Sequence, residues 1–504
     1  MGSDSSSGGV VYLVGAGPGD PRLVTVRGLH LIRQADVILY DNLAAPGLLS
    51  HARPEAEIIY VGKKRAAHAK TQEEIHELMV SRARAGKTIV RLKGGDPYIF
   101  GRGGEEAEAL AGAGIRFETV PGVTSAVGVA AYAGIPLTDR RFTSEVTFVT
   151  GHQTDQIDWE RVGQARTLVI FMGVMNFEEI AARLTRAGRP GSTPAAVVRW
   201  GTRGDQVTIE GTIETLSSKI HERGLKPPAL IVVGEVVSLR RRINWFESLP
   251  LFGATVVVTR AREQAWALAD PLRDLGANVV ELPTIEIRPP GDWGALDDAT
   301  SRIESYDWLI FTSVNGVRYF AERLDAGSKD LRSLRARICA IGPATADHVR
   351  ALHLGVDLMP DEYVAESVLA AFAGVELAGQ RILLPRAKQA RDVLLLELGK
   401  RGAVVDVVPA YETAIPEDSR HRAAELFQGE YRPDWITFTS SSTVRNFVQM
   451  CPGRYLKGVR VASIGPVTSA TARELGLEVQ AQPREYTVKG LIAAIVEARA
   501  KRAV

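Results

Sequence analysis

A glycine-rich turn early in the chain has the composition of a ligand site. The segment Lys87–Leu92 contains the apolar run Thr88–Val90 and predicts a short buried strand, and the residues after it predict a turn. Gly94 and Gly95 have no Cβ, so the backbone of this turn can pass close to a bound molecule. Asp96 precedes a proline, and we expect it to be extended with its carboxylate facing outwards. An ordinary strand–turn–helix corner is the alternative, but so many glycines in one turn favour a ligand.

Two charged side chains follow apolar strands at positions suited to chemistry. The strand Asp36–Tyr40 is predicted to end at Asp41, and the strand Glu57–Val61 is predicted to end just before Lys63. Open α/β sheets bind their ligands outside the carboxyl ends of the strands. A charged side chain at this position is therefore a candidate for contact with a ligand. A solvated surface lysine is the alternative for Lys63.

The segments around these residues alternate between strand and helix patterns. Further strands are predicted at Val10–Val14 and Ile115–Val120, and helices at Thr25–Gln34 and Ala126–Gly134. Five such alternations predict one parallel α/β lobe. The turn Gly15–Pro21 departs from the dinucleotide fingerprint, because an aspartate stands in the place of the third glycine. A nicotinamide cofactor is therefore disfavoured.

A second α/β lobe is predicted after a break near Pro136. Its strands are predicted at Val146–Thr150, Thr167–Met172, Ala195–Trp200, Gln206–Gly211 and Ala229–Val233. The turn Gly201–Gly204 is typical of a hairpin that joins two of them. The three consecutive arginines Arg240–Arg242 predict a solvated helix end and the start of a linker.

The second half of the chain repeats itself with an offset of about 125 residues. The matching segments are Thr255–Arg260 with Arg381–Arg386, Leu275–Pro283 with Arg401–Pro409, Asp307–Ser313 with Asp434–Ser440, and Ile338–Ala346 with Val461–Ser469. This period is too long for one unit of a solenoid, so it predicts a duplicated α/β domain.

Each repeat contains two strand–helix corners that carry hydroxyl groups. One corner has the sequence Phe-Thr-Ser and the other has Ile-Gly-Pro-x-Thr. Hydroxyl groups and the free amides of a helix N-terminus bind carboxylates well. Four such corners facing one another would form a cleft for a polyanion. Plain helix N-capping is the alternative for each corner taken alone.

The composition excludes several classes of protein. A chain of 504 residues is expected to hold several domains, and its 61 Lys and Arg nearly cancel its 59 Asp and Glu. This balance gives no overall basic field for nucleic acid. Cys339 and Cys451 are too few for a disulfide framework, and their flanks carry no metal-ligand spacing. With no apolar run of the ~20 residues that span a bilayer, and a leader at residues 1–9 that we expect to be disordered, the sequence predicts a cytoplasmic protein.

Residues from about 10 to 242 resemble uroporphyrinogen-III C-methyltransferases. The segments that carry the resemblance are Val14–Asp20, Gly94–Gly101, Pro121–Ser125, Phe171–Gly173, Gly201–Thr202 and Pro228–Leu230. The resemblance implies the two-lobed class III (tetrapyrrole) methyltransferase fold, with α/β lobes at residues 10–135 and 136–242 and a linker at residues 243–252. It also implies S-adenosyl-L-methionine as the cofactor and a homodimer formed through this half.

The same resemblance implies roles for individual residues. It places cofactor contacts at Pro18, Gly94, Gly95, Asp96, Ile99, Thr124, Ser125, Met172, Gly201 and Ala229. Asp41 matches the proton acceptor and Lys63 the proton donor of the family. Asp139 stands where many relatives have histidine, which puts its role in doubt. Arg140 and Arg141 remain candidate anchors for the acidic side chains of the macrocycle, because guanidinium groups bind carboxylates through two hydrogen bonds.

Residues from about 253 to 504 resemble uroporphyrinogen-III synthases, through the paired corners and the segment Ala410–Thr413. The resemblance implies two parallel α/β lobes and no cofactor. One lobe would combine residues 253–287 with 415–504, and the other would comprise residues 290–408. Tyr411 would assist the loss of hydroxyl from the linear substrate. The residues expected to hold substrate carboxylates are Thr312, Thr345, Ser440 and Thr468.

Together the two resemblances imply an enzyme with two consecutive activities on small tetrapyrroles. It would close hydroxymethylbilane to uroporphyrinogen III and methylate that product to precorrin-2, on the route to siroheme or cobalamin. No metal, nucleic acid or membrane is expected to take part. One alternative is a methyltransferase that acts on another corrinoid precursor. Another is a second half that only binds a tetrapyrrole and regulates the first.

Overall fold

The computed structural model of the chain describes residues 8–53, 55–62, 70–361, 365–389, 392–428, 432–451 and 456–503. Residues 1–7 of the expected leader and the predicted proton donor Lys63 lie outside these ranges. Within them, the strands form four sheets of five strands each.

The first sheet is parallel throughout, as the alternating pattern predicts. Its strands are β1 (Val10–Gly15), β2 (Val37–Tyr40), β3 (Glu57–Tyr60), β4 (Thr88–Lys93) and β5 (Arg116–Val120), and the helices of this part are α1 (Val26–Gln34), α2 (Gln72–Arg84), α3 (Gly103–Gly112) and α4 (Ser125–Tyr132). The strand order is β3-β2-β4-β1-β5, and every pairing is parallel. The carboxyl ends of all five strands therefore meet at one edge of the sheet.

The second sheet contains the five predicted strands but mixes their directions. Its strands are β6 (Thr147–Thr150), β7 (Leu168–Phe171), β8 (Pro194–Arg199), β9 (Val207–Thr212) and β10 (Ala229–Val233), and its helices are α5 (Trp159–Gly163), α6 (Phe177–Arg186), α7 (Ile213–Glu222) and α8 (Arg240–Ile243). Strand β10 pairs antiparallel with both β7 and β8. Strands β8 and β9 form the antiparallel hairpin predicted at Gly201–Gly204. The short turn allows this direct antiparallel pairing, whereas parallel strands need a long crossover.

The remaining strands form two sheets. They are β11 (Thr255–Val258), β12 (Asn278–Glu281), β13 (Glu286–Arg288), β14 (Trp308–Phe311), β15 (Arg337–Ala340), β16 (Arg381–Ala387), β17 (Val404–Ala414), β18 (Trp435–Phe438), β19 (Arg460–Ser463) and β20 (Val479–Ala481). The helices are α9 (Arg262–Asp274), α10 (Gly294–Ser301), α11 (Val314–Ala326), α12 (Pro343–Ala351), α13 (Ala365–Ala371), α14 (Val393–Lys400), α15 (Glu417–Gln428), α16 (Ser441–Met450), α17 (Pro466–Glu474) and α18 (Val488–Ala503). The strand orders are β12-β11-β18-β19-β20 and β13-β17-β16-β14-β15.

These two sheets confirm the duplication that the sequence predicts. The matching strands β11 and β16 are flanked in the same way, by β18 in one sheet and by β14 in the other. Asp434 accepts a hydrogen bond from the Thr255 amide at 2.9 Å, and Asp307 accepts one from the Arg381 amide at 2.8 Å. In each sheet an arginine covers the tryptophan that follows this aspartate, with 4.3 Å from guanidinium carbon to ring centre. Such paired details follow from one ancestral unit packed twice.

The chain passes between the two sheets along an antiparallel pair. Strands β11 and β12 belong to one sheet, β13 to β17 to the other, and β18 to β20 return to the first. Strand β13 pairs antiparallel with the end of β17, from Glu286 opposite Ala414 to Arg288 opposite Glu412. The outward and returning segments thus run side by side where they connect the two sheets.

The two halves of the chain are packed tightly against each other. The amide of Gly253 donates to the carbonyl of Gly204 at 2.8 Å. A Cβ on Gly204 would lie 2.1 Å from the backbone nitrogen of Asn278, closer than real Cβ atoms approach. Between the halves, Phe246 is buried and its ring contacts Tyr132 and Phe252 edge-on, with centroids 4.8 and 5.5 Å away. The predicted linker is therefore part of a packed joint.

Arg240 departs from the prediction that Arg240–Arg242 form a solvated face. Its side chain is buried, donates to the Ala133 carbonyl at 2.5 Å, and forms ion pairs with Glu210 and Glu247. Glu247 also accepts hydrogen bonds from Gln206 at 2.8 Å and from Thr208 at 2.7 Å. A buried guanidinium is tolerated because carboxylates and a carbonyl satisfy it. Arg241 and Arg242 are exposed as predicted.

Adding one methyl group at the joint tests how tightly the halves are packed. We expect Gly204→Ala to lower the thermal unfolding midpoint, at a cost of about 1–3 kcal/mol, because the Cβ overlaps backbone atoms that cannot rotate away. Gly112→Ala is the matched control, since a Cβ there has no atom within 4 Å. Calorimetry of both variants gives the comparison. A Gly204→Ala variant as stable as the control would contradict this packing.

Candidate active site

Three loops meet backbone to backbone at the carboxyl edge of the first sheet. Gly17 and Gly95 exchange amide–carbonyl hydrogen bonds of 3.2 and 2.7 Å. A Cβ on Gly15 would lie 2.5 Å from the Cα of Gly122, and a Cβ on Gly122 would lie 2.3 Å from the Gly95 carbonyl. Gly95 also has a φ of 69°, in the left-handed region that favours glycine. The loops after β1, β4 and β5 are thus brought together by glycines, of which only Gly95 is predicted to allow a close approach, and then to a ligand.

Asp96 holds this arrangement in place, which corrects the expectation that its carboxylate faces outwards. One carboxylate oxygen accepts a hydrogen bond from the Gly122 amide at 3.0 Å, and the other accepts from the Tyr98 amide at 2.9 Å. The side chain therefore ties the turn after β4 to the loop that begins α4. The proline after Asp96 restricts its backbone as expected, but the two loop amides determine where its carboxylate points.

The second sheet supplies the opposite wall of a cavity of about 1670 Å³. The residues predicted to contact a cofactor all line it: Pro18, Gly94, Gly95, Asp96, Ile99, Thr124, Ser125, Met172, Gly201 and Ala229. Asp41 lines it as well. Phe100 of the first lobe packs on Phe171 of the second, with ring centroids 4.9 Å apart. Two separate sheets thus bring together residues that are far apart in sequence.

The cavity wall contains an unusual concentration of left-handed backbone. Among the described residues, six residues other than glycine have positive φ. Five of them line the cavity, namely Phe100, Arg102, Met172, Trp200 and Thr202. Such conformations cost free energy and cluster at functional sites. Sequence reasoning found Met172 through the resemblance but gave no sign of this strain, because none of these residue types favours the left-handed region.

A buried group of charges lies beneath Asp41. Its carboxylate is 3.2 Å from Arg91, whose guanidinium also pairs with Glu106 at 3.1 Å. Glu106 is completely buried and pairs with Lys93 at 2.9 Å. Burial and the positive charge of Arg91 lower the pKa of Lys93, and Glu106 partly opposes this shift. Asp41 is thus oriented by a charge network, which sequence reasoning missed because Glu106 looked like an ordinary first-turn residue of a helix.

The predicted anchors Arg140 and Arg141 do not line the cavity. Both are exposed, and Arg141 forms two hydrogen bonds of 2.8 and 2.9 Å with Asp139. This side-chain pairing holds the pKa of Asp139 at about 2. Asp139 is therefore the partner of an arginine in the same turn, which accounts for a residue whose role the sequence left in doubt.

The corners of the second half lie outside this cavity. Tyr411 is buried, its hydroxyl is 2.9 Å from Ser313, and its ring stacks with Tyr319. Burial raises the pKa of the Tyr411 phenol. The remaining predicted residues occupy strand ends and helix starts: Thr312 and Ser440 are half-buried, and Thr345 and Thr468 are buried.

Ser440 illustrates what these corners do in the fold. Its hydroxyl accepts the Thr443 amide at 3.3 Å and completes a capping box at the start of α16. Ser313 caps α11 in the same way, accepting the Gly316 amide at 3.0 Å. The helix-capping alternative is therefore correct for both serines, and it leaves open a second role for the exposed faces of these corners.

Comparisons with known proteins match each half separately. A family model for tetrapyrrole (corrin/porphyrin) methylases matches residues 10–217. A model for the uroporphyrinogen-III synthase HemD matches residues 267–493. The porphyrin biosynthesis protein HemD of Ruminiclostridium josui is 37% identical over 93% of this chain and 94% of its own length. The chain belongs to the family of tetrapyrrole-biosynthesis enzymes that join a methylase to a synthase.

Further relatives support the methylase half in particular. The uroporphyrinogen-III C-methyltransferase of Bacillus subtilis is 42% identical over 66% of this chain and 69% of its own length. A uroporphyrin-III C-methyl transferase of Thermus thermophilus, solved with S-adenyl homocysteine, is 41% identical; the match covers 45% of this chain and 99% of that one, with a TM-score of 0.40.

The described residues contain neither a cluster suited to a metal ion nor a helix suited to cross a membrane. No group of three or more His, Cys, Asp or Glu side chains in these ranges is placed to hold a metal ion. In the same ranges, no helix is both long enough and apolar enough to cross a membrane.

Removing the buried carboxylate tests the charge network of the methylase half. We expect Glu106→Gln to destabilise the protein by about 3 kcal/mol, because two buried cations lose their shared counter-charge. The difference in stability between this variant and the wild-type protein should become smaller as the pH rises. Lys93, whose pKa is lowered, can then give up its proton and no longer needs a counter-charge. Thermal unfolding across a pH series measures both effects.

Glu105→Gln is the matched control for this prediction. Glu105 precedes Glu106 and pairs with Arg102 at the exposed surface. Its loss should cost less than about 1 kcal/mol. Equal effects of the two substitutions would show that the network does not stabilise the fold.

Proposed function

We propose that the chain closes hydroxymethylbilane to uroporphyrinogen III and then methylates this product from S-adenosylmethionine to give precorrin-2. The observation that supports the methylation most strongly is the common cavity. Ten residues implied as cofactor contacts, drawn from two lobes, all line it together with Asp41. The family to which the chain belongs supports both activities.

The residues present fit S-adenosylmethionine. The loops around Gly95 and at the start of α4 line the cavity with glycines and small hydroxyl residues, so backbone and hydroxyl groups lie at its wall. Such groups suit the amino-acid tail and ribose of the cofactor. Met172 is half-exposed in the cavity wall and offers a polarisable surface to a flat ring. When bound, S-adenosylmethionine supplies an electrophilic methyl group.

Asp41 is placed to serve the chemical step. Methylation of a pyrrole carbon leaves a positive charge on the ring, and the ring must then lose a proton. A carboxylate at the cavity wall stabilises that cation and accepts the proton. Arg91 contacts the same carboxylate at 3.2 Å and fixes its direction. Asp41 is 23% exposed, so it remains accessible to a substrate in the cavity.

Tyr411 suits the role of an acid in the synthase half. Its raised pKa keeps the phenol protonated, so it can donate a proton to the hydroxyl group of the substrate, which then leaves as water when its C–O bond breaks. Ser313, 2.9 Å away, holds this hydroxyl in position. Ring closure also requires that the two ends of a flexible chain be held together, and two α/β lobes linked by paired strands can provide this.

The direct test mixes the protein with hydroxymethylbilane, with and without S-adenosylmethionine. We expect the type III ring in both cases and methylated product only with the cofactor. Gly95→Val should abolish methylation and cofactor binding, because a branched side chain does not tolerate a φ of 69°, and should leave ring closure intact. Calorimetry and isomer analysis give the readouts. Type I ring from the wild-type chain would refute the synthase activity, and no methylated product would refute the transferase.

Two conservative substitutions test the assigned chemical roles and serve as controls for each other. Asp41→Asn should reduce methylation turnover by about 100-fold with little change in cofactor affinity, and Tyr411→Phe should reduce ring closure by about 10- to 100-fold. Each should leave the other activity unchanged. Steady-state kinetics of both reactions measure this. A fully active Asp41→Asn or Tyr411→Phe variant would rule out the role given to that residue.

A further inference from the structure

The cavity of the methylase half is not closed by that half alone. Its wall continues onto the synthase half, where it is lined by β12 and by the charged residues Arg262, Arg273, Asp418 and Arg422. These residues come from α9 and α15, which flank the third sheet. The packed joint at Gly204 holds this sheet against the cavity, so the same surface faces it in every molecule.

The positive side chains of the methylase wall are already paired within that half. Arg91 and Lys93 pair with Asp41 and Glu106, as described above. The two others among the described lining residues are Arg102, which pairs with Glu105 at 2.6 Å, and Arg203, which pairs with Asp205 at 2.8 Å. Each of these cations has its own carboxylate partner. They balance local charge and leave little capacity for an acidic ligand.

On the synthase side, one carboxylate is shared by two guanidinium groups. Asp418 lies 3.1 Å from Arg262 and 3.7 Å from Arg422. Arg273 differs, because it pairs with Asp270 at 2.8 Å and with Glu281 at 2.6 Å. The pair Arg262 and Arg422 therefore carries a net positive charge. Their side chains are 47% and 38% exposed, which leaves donor groups accessible from the cavity.

Arg422 is held in place at the cavity wall by a backbone carbonyl. It donates to the Glu281 carbonyl at 2.8 Å, which holds it at the end of β12. Burial raises the pKa of Tyr40, and the positive charge of Arg422 opposes this shift. Tyr40 is the last residue of β2 and immediately precedes Asp41. Arg422 of the synthase half and Asp41, the carboxylate proposed to accept the proton, therefore line the same cavity.

We propose that Arg262 and Arg422 of the synthase half bind carboxylate groups of the tetrapyrrole while it is methylated in the cavity of the methylase half. This inference rests on the proposed function. Guanidinium groups form paired hydrogen bonds with carboxylates, and their strength increases where water is partly excluded. The synthase half then has two roles, as an enzyme and as part of the substrate site of its neighbour.

The test uses full-length variants and uroporphyrinogen III added directly, so that methylation is measured without ring closure. We expect the double variant Arg262→Gln with Arg422→Gln to raise the KM for uroporphyrinogen III by roughly 10- to 100-fold, as expected for the loss of hydrogen bonds to charged groups. Turnover at saturation and the affinity for S-adenosylmethionine should stay within about twofold, because neither arginine contacts the predicted cofactor residues.

Three controls make the outcome decisive. Arg420→Gln removes an exposed arginine from the same helix outside the cavity, and it should leave the KM unchanged. Arg422→Lys keeps the positive charge but cannot form the paired hydrogen bonds of a guanidinium group. It should therefore restore only part of the affinity for uroporphyrinogen III. Ring closure from hydroxymethylbilane should be normal in every variant, which shows that the synthase half is folded.

Two results would overturn the inference. One is a double variant whose KM matches that of Arg420→Gln while the wild-type chain methylates added uroporphyrinogen III. The other is a double variant in which ring closure falls together with methylation, since the arginines would then act through the fold. A wild-type chain that does not methylate added uroporphyrinogen III would instead refute the proposed function, and this inference with it.

Discussion

The contact among Gly15, Gly95 and Gly122 is the constraint on which the rest of the methylase half depends. A Cβ on Gly15 or Gly122 would overlap backbone atoms of another loop, and Gly95 has a left-handed φ of 69°. Because no side chain separates them, three loops converge at one edge of the first sheet and line a single cavity. The carboxylate of Asp96 accepts one hydrogen bond from its own turn and one from the loop before α4, which ties these two loops together. The cavity is thus defined by backbone geometry before any catalytic side chain is considered.

The same principle of close backbone approach extends to the joint between the halves. Gly204 lies in the hairpin turn of the second sheet and contacts the backbone that leads into β12. The turn Gly201–Gly204 therefore lines the cavity at Gly201 and contacts the synthase half at Gly204. Because the synthase half is held by such a contact and by the buried Phe246, its charged surface becomes a fixed wall of the methylase cavity. Fusion of the two enzymes in one chain therefore supplies part of the wall of the methylase cavity.

Much of this architecture could be predicted from the sequence, because strands and turns leave local signals. The glycine-rich turn at Gly94 and the duplicated segments of the second half identify themselves by composition and repetition. The burial of Arg240 could not be predicted, since its partners Glu210 and Glu247 come from distant segments. The left-handed conformation of Trp200 was equally hidden, because tertiary packing imposes it against local preference. Sequence reasoning identified residues that line the cavity but not the strain and charge around them.

The central claim is that one cavity, walled by both halves, holds the cofactor and the macrocycle during methylation. A crystal structure of the full chain with S-adenosylhomocysteine and uroporphyrin III tests it most directly. We predict the cofactor against the Gly94–Asp96 turn, with carboxylates of the macrocycle within hydrogen-bond distance of Arg262 and Arg422. A macrocycle bound only by residues of the methylase half, with both arginines facing solvent, would contradict this account.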